Sequence, residues 1–362
     1  MDGGNGSPRR PEGPPERYSD KRLAEGFSVY VLFTEPVSFS NRDILDALRE
    51  DFPELAWSDM VAEGGITPGV LDGMHSTGEV LVTSLFPGGE ENQPRMIPML
   101  STPGRCDIDW DHMCAKNRLT FPEAKAAVDR HRTYIHLMVN SVDDTLEARF
   151  DAARRATCIG AVFASLPVAT AVYFPNGDTV VAPDKWVGAA KVALKGEVPF
   201  FQWINLGVEP VPDGQAPVPV TVQTIGVAAF TGHEMLLPLA RIPPAEAAEL
   251  VIGAAVLHLQ YGNDFTDGDT LGPEDNPELK LRIRHAKEGL LGLQTDNWVF
   301  LHPKSVLAPR EEELFGKRPG MPPPPGMDLR NFGDPDSLRN KLYALVAGPR
   351  RKARNRSRRK GR

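Results

Sequence analysis

Apolar positions along this chain recur with two different spacings, and the switches between them mark out its elements. Phe27-Ser-Val-Tyr-Val-Leu-Phe33 has the density of a strand, and Ser40 or Asn41 then begins a helix to Asp51 with Ile44, Leu45 and Leu48 on one side. A second strand over 79–86 is closed by Pro87-Gly88-Gly89. Residues 87–118, with several Pro, Gly and Asp, read as a long irregular excursion. Thr120-Phe-Pro-Glu123 has the form of a capping box with proline in the first turn, and opens a helix to about Arg130. Tyr134-Ile-His-Leu-Met-Val139 is apolar on both faces, as a central strand is. Asp143 or Asp144 then caps a helix to about Leu166. Leu146, Phe150, Ala153, Thr157, Ala161 and Ala164 recur along it at helical spacing, and so many small residues predict close packing on a sheet. A strand over 168–174 ends at Pro175-Asn176-Gly177.

The same signals continue in the second half. Pro183 opens a helix that Gly196 closes, and strands follow around 200–208 and 220–230. Pro243-Pro244 begins a helix to Tyr261 with Leu250, Val251, Ala254, Leu257 and Tyr261 as its inner face. Residues 279–285 alternate apolar and basic, so Lys280, Arg282 and Arg284 form a solvated edge, and Asn297-Trp-Val-Phe-Leu301 is the last core strand. The fold class is α+β: mixed β-sheets flanked by helices, divisible into two related βαβ-containing halves over 25–180 and 181–302. Around this globular domain, 25–302, residues 1–24 read as a disordered leader and 303–336 as a proline-rich linker. Residues 337–348 read as a short helix and 349–362 as a disordered basic tail.

Charge changes this picture more than composition does. The net charge is −7, yet Arg350, Arg351, Lys352, Arg354, Arg356, Arg358, Arg359, Lys360 and Arg362 are nine cations without an acid among them; removing them leaves −16 on the remainder. So acidic a body does not suit phosphate over a broad face, whereas the tail suits a nucleic acid or another polyanion. No apolar run approaches the roughly 20 residues of a membrane helix, and no apolar segment follows the first charges, so neither membrane nor secretion is expected. Cys106, Cys114 and Cys158 are three, with no Cys-x-x-Cys pair, which points to a reducing cytoplasm rather than a disulfide framework.

Phe121-Pro-Glu-Ala, His131 before an apolar strand, Ala171-Val-Tyr-Phe174, Thr224-Ile-Gly with Gly232-His-Glu234, and Asp267-Gly-Asp-Thr-Leu-Gly272 occur in that order. In this combination the chain resembles the bacterial family called Domain of Unknown Function 4261 over about 27–302. It departs at Phe121-Pro-Glu-Ala, which stands where the family has a helical Trp-Glu-Ala. The resemblance implies a domain boundary and no activity.

Candidate chemistry gathers in a few places. Glu234, Asp267 and Asp269 are hard oxygen donors for Mg²⁺ or Ca²⁺, and His233 beside them is a candidate base; together they describe a metal-assisted hydrolase. The structural alternative has Asp267 and Gly268 forming a turn, with Asp269 or Thr270 holding backbone amides and Glu234 facing a helix dipole. Cys106, His112 and Cys114 are three candidate zinc ligands, with His75 as a fourth, but their spacing fits no zinc hairpin. His131 suits a helix C-terminus and His136 a buried, hydrogen-bonded imidazole. Gly64-Gly65 and Gly289-Leu-Leu-Gly292 match neither phosphate-binding pattern. The expectation that results is a cytoplasmic, non-catalytic protein-binding module, adaptor or immunity-like, with a polyanion-binding tail. No cofactor is expected; a divalent metal belongs to the hydrolase alternative.

Overall fold

A computed structural model describes residues 26–37, 41–55, 57, 80–83, 97–273, 276 and 280–316. The chain divides after Lys317. The leader, His75, Gly64-Gly65, the proline run, the 337–348 segment and the basic tail lie outside the described residues.

The fold is α+β, with one six-stranded sheet in each half. The first sheet contains β1 (Gly26–Phe33), β2 (Val80–Thr83), β3 (Ile97–Pro103), β4 (Thr133–Asn140), β5 (Ala169–Phe174) and β6 (Thr179–Val181), ordered β2-β3-β4-β1-β5-β6. Every neighbouring pair in it is antiparallel. β4 and β5 both run against β1, so the helix between them, α4 (Leu146–Ala164), crosses over the intervening strand as a split βαβ unit. The second sheet contains β7 (Asn205–Pro210), β8 (Val220–Ile225), β9 (Glu234–Ala240), β10 (Thr270–Leu271), β11 (Leu281–Ala286) and β12 (Asn297–Leu301), ordered β10-β11-β12-β9-β8-β7. β12 runs parallel to β9, and its other neighbour, β11, is antiparallel. The two halves therefore share an architecture but not a topology, which corrects the expectation of related βαβ halves.

The remaining helices are α1 (Asn41–Asp51), α2 (Trp110–Lys116), α3 (Ala124–Asp129), α5 (Pro183–Leu194), α6 (Phe200–Trp203), α7 (Ala228–Thr231), α8 (Pro244–Tyr261) and α9 (Glu311–Phe315). The predicted excursion over 87–118 thus contains a strand and a helix, hidden by Pro98 and Pro103 within β3. The capping box does not form: Thr120 donates to the Asn117 carbonyl, and Glu123 makes no side-chain cap bond. Thr145, not Asp143 or Asp144, caps α4, accepting from the Ala148 amide at 3.2 Å. The small residues of α4 do permit close packing. A Cβ on Gly160 would lie 2.8 Å from Trp186 Nε1 and 2.9 Å from Val29 Cγ1, so the helix is pressed between α5 and β1.

Thr157 ties this layer to the second half. Its hydroxyl accepts from Trp203 Nε1 at 2.8 Å and its carbonyl from Trp186 Nε1 at 3.2 Å. Phe230 packs within ring-centroid distances of 4.8 Å of Phe27, 5.1 Å of Phe150 and 5.6 Å of Trp203, an aromatic cluster drawn from both halves. A Cβ on Gly177 would lie 2.0 Å from the Trp203 carbonyl oxygen, so the backbones touch there and only glycine fits.

The expected end of the domain near Pro303 is also corrected, because ordered chain continues to Gly316. The segment after β12 is tied back to β9: the Arg241 amide donates to the Lys304 carbonyl, the Val306 amide to the Leu239 carbonyl and the Ser305 hydroxyl to the Pro238 carbonyl. α9 then covers β11. Arg284, assigned above to a solvated edge, is fully buried. It lies 2.8 Å from Asp267 and 3.1 Å from Glu311, donates to the Phe315 carbonyl at 2.9 Å, and stacks over the Phe315 ring. Arg282 lies 2.7 Å from the same Glu311. Burying a guanidinium requires partners for most of its donors, and Asp267 together with residues 311–316 supplies them.

Candidate functional site

Glu234 opens β9 and points into the protein. Its carboxylate accepts from the Thr224 hydroxyl at 2.6 Å and from the amides of Gly226, Val227 and Ala228 at 2.7, 3.2 and 3.2 Å. Four donors occupy its oxygens, and three belong to the first turn around α7, so the side chain closes that helix end from across the loop. Burial pushes its pKa up to about 7, with the four donors acting in the opposite direction. Asp267 accepts from Arg284 Nε at 2.8 Å and from the His285 amide at 3.0 Å. Asp269 folds back on its own turn, accepting from the Thr266 amide at 3.1 Å. Gly268, at φ 97°, makes the reversal possible.

The hydrolase set is therefore not assembled. Glu234, Asp267 and Asp269 do not come together as metal ligands among the described residues, because each carboxylate holds a separate piece of backbone or Arg284. Nor do Cys106, His112 and Cys114. Cys106 and Cys114 are buried in an apolar cluster with Trp110, Phe121 and Val128, while His112 is exposed on α2. Burial, with Asp107 adding to it, pushes the Cys106 thiol up to about 11, and burial also raises Cys114, so neither offers a thiolate near neutrality. All three cysteines are free and buried. His131 accepts the Cys106 amide on Nε2 at 3.1 Å and bonds the Val128 carbonyl through Nδ1, which makes it a clamp between loop and helix. His136 differs from its expected hydrogen-bonded role: its Nε2 has no hydrogen-bond partner, and the ring stacks on Tyr30 at 4.2 Å.

One grouping does form, around His233. The parallel register pairs Glu234 with Asn297, so the residues just before them, His233 and Asp296, lie side by side at the start of β9 and β12. The antiparallel register pairs His285 with Trp298 on the next strand. Since side chains alternate along strands, Glu234 and Asn297 point to one face, and His233, Asp296, Trp298 and His285 to the other. The ligating atoms of His233, His285 and Asp296 all lie within 4.8 Å of one another, and each residue is half-buried. The Trp298 ring closes one side, 5.3 Å from the His233 ring and 5.2 Å from that of His285. Phe265 stands beyond it at 6.1 Å. Burial, reinforced by the neighbouring His233, lowers the His285 pKa, which keeps that ring neutral around pH 7.

His233 was visible in the sequence; His285 and Asp296 were not, since only strand register brings positions so distant in the chain together. No family model, curated protein or solved structure matches the chain. No helix among the described residues is long and apolar enough to cross a membrane.

Proposed function

We propose that this chain is a recognition protein of the cytoplasm, adaptor or immunity-like, that works by binding another protein rather than by catalysis. The observation that carries this reading is the turn after α2. Leu119 is 91% exposed there, although the chain around it is held tightly. Asn117, nearly fully buried, donates to the Met113 and Asp178 carbonyls at 2.8 Å each. Lys116 pairs with Asp178 at 2.8 Å, and Thr120 donates back to Asn117. A large apolar side chain on backbone held in this way is presented to a partner without backbone ordering, so burying it gains about 1.5–3 kcal/mol less the roughly 0.5–1 kcal/mol of fixing its rotamer. The engagement of Glu234, Asp267 and Asp269 in backbone and Arg284 contacts supports the same reading, because the competing hydrolase needs those carboxylates.

The test uses the immobilised full chain and a lysate of its source cells. A protein retained at near one-to-one ratio by the wild type and lost by Leu119→Asp supports the reading, provided both melt at the same temperature. Equal retention by the variant overturns the assignment to this turn. The nine cations of residues 350–362 support a second contact, to a polyanion, with log K falling by about 0.9 per phosphate engaged for each unit of log salt. Truncation after Gly348 removes that retention; if it persists, the tail is not the contact.

A further inference from the structure

The second sheet brings two imidazoles and one carboxylate together on one face. His233 Nδ1 lies 3.1 Å from the Thr231 carbonyl oxygen. A carbonyl only accepts, so Nδ1 carries the proton and Nε2 presents its lone pair. The buried Nε2 of His285 has no hydrogen-bond partner and stands 3.7 Å from Asp296 Oδ2. The other oxygen of Asp296 accepts from the Glu288 amide at 2.9 Å, which orients the carboxylate. Two ligand candidates are thus aimed by backbone groups of their own neighbourhood, the arrangement that holds first-row metal ligands in place. A buried imidazole nitrogen without a partner carries a desolvation cost that a bound cation would remove.

We propose that His233, His285 and Asp296 bind a divalent transition metal, Zn²⁺ being the ion that two imidazoles and one carboxylate suit best. Mg²⁺ and Ca²⁺ prefer oxygen shells and disfavour two nitrogen donors. Zinc bonds of about 2.0–2.1 Å in tetrahedral geometry place ligand atoms roughly 3.3 Å apart. The 3.7 Å between His285 and Asp296 is close to that value, and the 4.8 Å limit for the whole set closes with side-chain rotations of about one ångström. Three protein ligands leave a fourth position, which the half-exposed setting opens to water or to a donor from a partner. Trp298 lines the site and reports on it. Binding here is independent of Leu119 and of the recognition reading.

The experiment titrates the untagged, chelator-treated full chain with Zn²⁺ by calorimetry and with Co²⁺ by absorption and tryptophan fluorescence. The expected result is one equivalent per chain, a raised melting temperature, a Co²⁺ ligand-field band without thiolate charge transfer, and quenching that Trp298→Phe diminishes. His233→Gln, His285→Gln and Asp296→Asn, made separately, weaken binding by more than the roughly 10–100-fold lost with an orienting partner. Asp296→Asn keeps the oxygen facing Glu288, so it tests the site even if a histidine variant melts early. Cys106→Ser with Cys114→Ser leaves binding unchanged. Failure to bind one equivalent, a thiolate band, or undiminished affinity in Asp296→Asn overturns the site.

Discussion

At the scale of single residues, the most instructive group is Glu234, a carboxylate withdrawn from water and faced by donors alone. Glu234→Gln turns an acceptor into an amide whose N–H₂ confronts the Thr224 hydroxyl or the amides at 226–228. It is expected to lower stability by about 1–3 kcal/mol, read as a shift in urea midpoint at unchanged slope. His233→Gln, by contrast, leaves stability within about 0.5 kcal/mol, as a half-exposed substitution should. Neighbours in sequence thus belong to opposite faces of a sheet, one structural and one available to solution. The pair His233-Glu234 was conspicuous as text, and reading it as one constellation failed because strand alternation separates its members. The turn at Asp267-Gly268-Asp269 was legible in part: Asp269 holds the Thr266 amide, as turn chemistry predicts, whereas Asp267 holds Arg284 and the His285 amide, partners that only the tertiary structure supplies.

Among elements, α9 decides the fate of β11. Removing the Glu311 carboxylate leaves Arg284 and its charge buried with a partner missing, so Glu311→Ala is expected to cost about 3–5 kcal/mol, and Glu311→Gln less. A chain ending at Pro303 should lose more than either, because the backbone carbonyls of Phe315 and Gly316 go with it; thermal melts of the three variants establish the order. The alternation of Leu281, Ile283 and the basic residues between them correctly marked a strand. It misassigned the polar face because a chain segment too short and polar to look like core covers it. Strands β1, β4, β5, β11 and β12 were plain from their apolar density, whereas β9 was missed behind the Gly232 turn, with Pro238 interrupting its pattern. On α8 the buried residues are Ala247, Val251, Ile252, Ala254, Ala255, His258 and Leu259, while Tyr261 is 59% exposed. A helix apolar on nearly every side offers no contrast from which to read that phase.

For the molecule as a whole, acid stability follows from its buried imidazoles. Burial holds His131, His136 and His302 below the ordinary histidine value of 6.5. In the unfolded chain these rings take up protons first as pH falls, so the stability they contribute is present above 6.5 and is lost below it. Each contributes a slope of up to about 1.4 kcal/mol per pH unit between 6.5 and its folded value. Glu234, raised by burial to about 7, acts in the opposite sense, because there the folded chain takes up the proton first. With three imidazoles against one carboxylate, urea midpoints should still fall between pH 7.5 and 5.5, and His136→Phe, which fills the same stacking place on Tyr30, should flatten the curve. The meeting of backbones at Gly177 and Trp203 has a consequence for how the chain can be divided. Each half presents the other with a bare main-chain surface and an open ring of aromatics, so neither is a self-sufficient module. Severed near Gly196, the two pieces should be insoluble apart and reconstitute one particle when produced together.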